Sequence, residues 1–284
     1  MSERKKVTLP MLFKKKDAGD QITMLTCYDY PTAYFQDEAG IDIILVGDSL
    51  GMTMLGYPST LPVTMDDMIR HAQAVRKGAP NVWLIGDMPY MTYQPSVETA
   101  IRSAGRFMAE AACDAIKLEG GEEIADRLAG IIASGIPVMG HLGLTPQSAS
   151  MLGGFRLQGK SAGTAKKIID NAKILEEAGA FAILLEMVPE QVCRIVTERA
   201  EDCIIIALGS GPHAHGQLLI YHDMFGLYPK FKPRMAKVYA DAGQVILNGL
   251  KQYAGEVTDR TFPQPENWFS MKEDEYKDLL RLLD

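Results

Sequence analysis

Eight short apolar runs alternate with helical patterns along most of the chain, and few architectures accommodate that alternation. The runs are Ile22–Cys27, Ile41–Gly47, Val82–Gly86, Ala115–Leu118, Ile136–Gly140, Ala182–Leu185, Cys203–Leu208 and Leu218–Tyr221. They are continuous rather than alternating, as expected of parallel strands covered on both faces. Between them, Asp66–Lys77 opens on a Thr64-x-x-Asp67 box, Val97–Ala112 follows Pro95-Ser96, and Glu122–Ser134 ends at Gly135. Ala165–Ala178, Glu190–Ala200 and a long pattern over Pro233–Tyr253 complete the series. Strand–helix alternation implies a parallel sheet, and eight strands favour closure into a (βα)8 TIM barrel over an open sheet. The chain has 284 residues, enough for one barrel of about 250, although two domains of about 140 also fit the length. The expected organisation is therefore one barrel domain, with an N-terminal extension over about 1–20 and a C-terminal one over about 255–284 ending in the helix Glu273–Leu283.

Composition excludes several classes. A net charge of −7 gives no concentrated basic surface for nucleic acid. No apolar run approaches the roughly 20 residues of a membrane helix, so no membrane partner is expected. Four cysteines (Cys27, Cys113, Cys193, Cys203) form no CxxC pair and read as buried free thiols. With no signal-peptide pattern at the N-terminus, a cytoplasmic location is expected.

Four apolar strands end in a carboxylate: Asp48, Asp87, Glu119 and Glu186. A fifth ends at His141. In a barrel these ends ring one mouth, where barrel enzymes place their chemistry. Strand alternation gives Lys117 the same face as Glu119. Clustered like charges call for a cation, and all-oxygen donors favour a hard ion, Mg²⁺ or Mn²⁺. The spacing does not fix which acids hold metal and which stays free as a base. The stretch Leu142–Gly163 is long for a loop, a length usually functional, and follows a strand onto the catalytic face. Gly209-Ser210-Gly211 fits a tight turn better than a phosphate cradle, since it lacks GxGxxG. His71 and His222 read as structural, His213 and His215 as solvated.

The motifs Gly47-Asp48-Ser49-Leu50-Gly51-Met52, Gly86-Asp87-Met88-Pro89, Lys117-Leu118-Glu119-Gly120-Gly121, Gly140–Ser148 and Leu185-Glu186-Met187-Val188-Pro189 occur in that order. This ordered set resembles the ketopantoate hydroxymethyltransferases of the phosphoenolpyruvate/pyruvate superfamily, from about Val7 to about Met271. The resemblance implies transfer of a hydroxymethyl group from 5,10-methylenetetrahydrofolate to the 2-oxo acid 3-methyl-2-oxobutanoate, giving 2-dehydropantoate. It implies Mg²⁺ or another divalent cation at Asp48, Asp87 and Glu119, and oxo-acid contacts from Asp48, Ser49, Asp87 and Lys117. It also implies Glu186 as general base and self-association, as a homodecamer of two pentameric rings. The seventh strand departs from the family pattern: Ala207 stands where glycine is usual, and His215 where an acid is expected. That departure is expected to bear on folate or substrate preference. The competing readings are a divergent superfamily lyase or aldolase on another 2-oxo acid, and a scaffold paralogue without activity.

Overall fold

The computed structural model describes residues 4–284. Eight parallel strands close into a barrel in chain order. They are β1 (Ile22–Thr26), β2 (Ile43–Val46), β3 (Trp83–Asp87), β4 (Ala115–Glu119), β5 (Val138–Gly143), β6 (Ala182–Glu186), β7 (Ile204–Leu208) and β8 (Gly216–Leu219). β8 pairs with β1, Ile22 opposite Gly216, which completes the ring. Among the described residues, no helix is long and apolar enough to cross a membrane.

The pleat sorts every strand into two layers. One face of each strand joins a cluster with the helices, including Ile44, Leu84, Ile116, Val138, Ile183 and Ile205. The other face fills the barrel with Ile43, Leu45, Ile85, Met139, Leu184 and Ile206. The helix Leu9–Ala18 closes the base of the barrel by inserting Leu12, which is fully buried in this inner cluster. Lys15 on the same helix pairs with Asp42 at 2.7 Å, and Asp42 accepts hydrogen bonds from the Thr23 backbone and hydroxyl. Part of the expected N-terminal extension is thus the floor of the barrel; residues 1–3 lie outside the described residues.

One helix went unread in the sequence and two expected bounds need correction. Tyr30–Glu38 is a helix, capped by the Asp29 side chain accepting from Thr32 N, although its weak amphipathicity gave no pattern. The eighth strand runs Gly216–Leu219 rather than starting at Leu218. The last long helix spans Ala242–Thr258 and not Pro233–Tyr253. Asp241 caps it by accepting from Gln244 N, and residues 225–241 cross the barrel mouth as a loop.

The link from β7 to β8 has no helix and carries the chain from mouth to base in seven residues, Gly209–His215. Its glycines take positive φ, +65° at Gly209 and +91° at Gly211, and side chains of Met235 and Glu190 fill the space beside them. This is the tight turn, with no open cradle for phosphate. His215 ends up at the base. Its backbone carbonyl accepts from Ile22 N, and its Nδ1 accepts from Ile205 N at 2.9 Å. The imidazole supplies the acceptor for that backbone N–H. Ala207 faces the helix layer and is buried. Neither the Ala207 nor the His215 side chain lines the cavity at the barrel mouth. Of the other histidines, His71 Nδ1 bonds the Tyr28 carbonyl oxygen, His222 is buried against Tyr28, and exposed His213 pairs with Glu190 at 2.8 Å.

Burial, with Lys16 nearby, pushes the His215 pKa down from 6.5 to about 4. A neutral imidazole in the fold that would ionise in the unfolded chain stabilises fully above pH 6.5. That contribution is lost as the pH falls towards 4. His215→Ala should lower stability by about 1–3 kcal/mol by orphaning the buried Ile205 N–H. It should also flatten the loss of stability between pH 6.5 and 4, as read by urea denaturation across that range.

Candidate active site

The inward residues of the strands change character on approaching the mouth. In β3 they run Trp83, Ile85, Asp87, in β4 Ala115, Lys117, Glu119, and in β6 Ala182, Leu184, Glu186. Register sets the charged ones side by side, with Asp87 opposite Lys117 and Glu119 opposite His141. Together they line one wall of a cavity of about 900 Å³. The opposite wall is apolar, built from Leu208, Leu218, Tyr228, Phe231 and Met235, with Phe155 and Leu157 from the long loop.

Every residue singled out in the sequence reaches this cavity: Asp48, Ser49, Asp87, Lys117, Glu119, His141 and Glu186. Lys117 is buried and its Nζ lies 2.7 Å from Asp87 Oδ1 and 3.8 Å from Glu119 Oε1. His141, also buried, has Nδ1 3.5 Å from Glu119 Oε1 and Nε2 3.2 Å from Glu186 Oε2. Asp87 Oδ2 accepts from Asp48 N. Ser49 Oγ is 2.8 Å from the Tyr28 hydroxyl. Leu144 N donates to Glu186 O at 2.8 Å, and Gly143, at φ +93°, allows that approach because a Cβ would meet Glu186 O at 2.2 Å.

Burial and neighbouring charge set the protonation. Asp48 is raised well above the ordinary carboxyl range, first by burial and then by the charges of Asp87 and Glu119. Burial also raises Asp87, although Lys117 opposes it. For Lys117, burial favours the neutral amine, but Asp87 and Glu119 outweigh it and hold the ammonium. Burial would raise Glu119 too; hydrogen bonding to His141 and the charge of Lys117 prevail and lower it. Burial and Lys117 oppose a charged His141, yet Glu119 and Glu186 raise it to about 9.

Three carboxylates in so small a space suit a hard divalent cation. Each has one oxygen tied by a protein donor: Asp48 Oδ2 by Gln147, Asp87 Oδ2 by Asp48 N, and Glu119 Oε2 by Gln147 N. Asp87 Oδ1 and Glu119 Oε1 are buried without a well-directed hydrogen bond. That donor chemistry fits. Among the described residues no three His, Cys, Asp or Glu side chains stand close enough together to hold a metal ion as they are placed here; Lys117 Nζ occupies the space beside Asp87 and Glu119.

Comparison with known proteins identifies the family. The sequence pattern described as ketopantoate hydroxymethyltransferase matches residues 6–265. The chain belongs to the ketopantoate hydroxymethyltransferase family. A 3-methyl-2-oxobutanoate hydroxymethyltransferase of Carboxydothermus hydrogenoformans is 48% identical over 266 residues, covering 94% of this chain and 96% of that protein. One from Thermus thermophilus is 49% identical over 251 residues, 88% of this chain and 95% of that one. Among solved structures, a phosphonopyruvate hydrolase complex with oxalate and Mg²⁺ superposes with a TM-score of 0.59 at 14% identity, covering 98% of each chain. A 2,3-dimethylmalate lyase of the PEP mutase/isocitrate lyase superfamily gives 0.58 at 13%, covering 96% and 94%. At that identity the likeness concerns the barrel alone.

Sequence reasoning missed three residues of the site. Gln147 lay within the family string ending at Ser148, where it could have been weighed. Tyr28 and Tyr93 carried no signal, because an aromatic beside a strand end reads as core. Removing the buried cation should expose the cost of this layer. Lys117→Met is expected to lower stability by about 3–5 kcal/mol, leaving buried carboxylates uncompensated. The double variant Asp87→Asn/Lys117→Met should recover part of it in a denaturation cycle.

Proposed function

We propose that this chain transfers a hydroxymethyl group to 3-methyl-2-oxobutanoate, giving 2-dehydropantoate, with 5,10-methylenetetrahydrofolate as one-carbon donor. The observation that carries this reading is the separation of Glu186 from the other acids. It stands at the cavity wall beyond His141, while Asp48, Asp87 and Glu119 gather around Lys117. Such a division suits one group for binding and one residue for proton removal. Relatives of this similarity are named for this reaction.

Asp48, Asp87 and Glu119 would hold Mg²⁺ or a similar ion, which as a Lewis acid supplies stabilisation of negative charge on the keto oxygen. Ser49, Asp48, Asp87 and Lys117 orient the oxo acid, with the Lys117 ammonium offsetting its negative charge. Glu186 takes the C3 proton, with His141 Nε2 3.2 Å from its Oε2. Water opens the methylene bridge of the donor, breaking one C–N bond and leaving a hydroxymethyl group on the other nitrogen. The C3 electron pair then bonds to that carbon as the second C–N bond breaks. The nitrogen takes its electron pair and a proton, and tetrahydrofolate leaves. The apolar wall of Tyr228, Phe231 and Phe155 gives a flat ring system a surface to lie on. A cytoplasmic setting belongs to this reading and is supported by four free, buried cysteines.

The enolisation half needs no folate. With Mg²⁺ and 3-methyl-2-oxobutanoate in heavy water, the protein should exchange the C3 proton for deuterium. Glu186→Gln should slow this by about 10²–10⁴-fold, and exhaustive chelation should stop it. Undiminished exchange in Glu186→Gln would move the base to another residue. Exchange confined to a different 2-oxo acid would favour a lyase, and none at all a scaffold.

Self-association also belongs to the proposal, as a homodecamer of two pentameric rings. Its support is the helix Ala242–Thr258, which buries none of its residues. Val245 is 72% exposed, Leu250 60% and Tyr253 56%. An apolar helix face of this size marks an interaction surface. Light scattering at micromolar concentration should give a multiple of the 31.2 kDa chain, and Val245→Glu with Leu250→Glu should reduce it. A wild-type monomer would refute the assembly.

A further inference from the structure

Gln147 lies in the short 3₁₀ turn Pro146–Ser148, at the start of the segment that leads from β5 to the helix Ala162–Glu177. Its side chain is buried, and every bonding position of its amide is used. Nε2 donates to Asp48 Oδ2 at 3.0 Å and to Met88 O at 2.9 Å. Oε1 accepts from the Tyr93 hydroxyl at 2.9 Å and from Gln94 Nε2 at 3.0 Å. Its backbone N–H donates to Glu119 Oε2 at 3.0 Å. The Tyr93 hydroxyl in turn accepts from Glu119 N and lies 2.9 Å from Glu119 O. One loop residue therefore grips groups after β2, β3 and β4.

A loop has no need of five such bonds merely to be anchored, and two of them end on carboxylates that face the cavity. Each of those bonds fixes one oxygen and leaves the other directed elsewhere. We propose that Gln147 is a positioning residue that aims the Asp48 and Glu119 carboxylates at a divalent cation, so that cation affinity and docking of the segment 144–158 depend on each other. The inference rests on the reading of these acids as cation ligands. The segment contributes Leu144, Pro146, Phe155 and Leu157 to the cavity wall, and Gln158 N pins its far end to Met187 O. Removing the Gln147 side chain releases Asp48 Oδ2 directly; the bond to Glu119 Oε2 comes from the backbone N–H and loosens as the freed near end of the segment moves. In the other direction, an ion that holds both carboxylates presents Gln147 with fixed acceptors and keeps the segment down. Outer partners of metal ligands are commonly worth about 10–100-fold in metal affinity.

The test needs no turnover. Mn²⁺ binding is measured by calorimetry for wild type and Gln147→Ala, and limited proteolysis within 149–157 is followed with and without Mn²⁺. Wild type should bind Mn²⁺ and be protected by it. Gln147→Ala should bind about tenfold more weakly or worse and lose most of that protection, while its far-ultraviolet circular dichroism stays native. Unchanged affinity, or faster cleavage with unchanged affinity, overturns the coupling. Failure of the wild type to bind Mn²⁺ overturns instead the cation reading beneath it. Should Gln147→Ala not fold, Gln94→Ala removes one bond to the amide without touching Glu119 and should shift both readouts in the same direction by a smaller factor. No shift in that folded variant overturns the inference.

Discussion

A buried ammonium among buried carboxylates governs the upper half of this barrel. Lys117 is almost wholly withdrawn from water, 2.7 Å from Asp87. Desolvating both charges is costly, and only close pairing offsets it. The pairing requires β3 and β4 to sit in the register that sets Asp87 opposite Lys117. It also requires His141 across the next strand pair to share the negative charge of Glu119. With two cationic side chains serving four acids, the layer retains acceptor capacity, and that surplus is what makes it a site rather than a structural ion pair.

Around this layer the protein is divided by height. Below it the inward residues are apolar, and the helix Leu9–Ala18 closes the floor with Leu12 and Lys15. Above it lie the segment after β5 and the loop 225–241, which carry the aromatic lining of the cavity. Gln147 joins the two levels. The only described link without a helix, between β7 and β8, belongs to the lower level at its end, where His215 satisfies Ile205 N.

Much of this was legible in the sequence because periodicity and position carry it. Eight β-rich runs with helices between them specify the barrel, and a carboxylate at a strand's end can be placed at the mouth without coordinates. All of Asp48, Asp87, Glu119 and Glu186 reached the cavity for that reason. The failures have equally physical causes. Tyr30–Glu38 is held as a helix by a cap and packing rather than by an apolar stripe. Residues 233–241 carry helix-compatible spacing, yet the Asp241 cap starts the helix later. Gln147 and Tyr93 act through contacts 54 positions apart, and no local pattern encodes such a distance. His215 read as solvated because its acceptor role depends on Ile205, a neighbour only in the folded sheet.

The alternation that sets apolar residues low and charged ones high inside the barrel along β3, β4 and β6 also polices assembly. Slippage of one strand by a single residue would turn its inward face outward. In β4 that would drive Lys117 and Glu119 into the layer occupied by Ile116 and Leu118 against the helices. Unpaired charges there are far more expensive than a misplaced methyl group. A barrel with purely apolar strands would have several nearly equivalent registers to choose from. The ionic layer removes that degeneracy, so the residues placed for chemistry also serve as the error check by which the chain tells its correct closure from its neighbours.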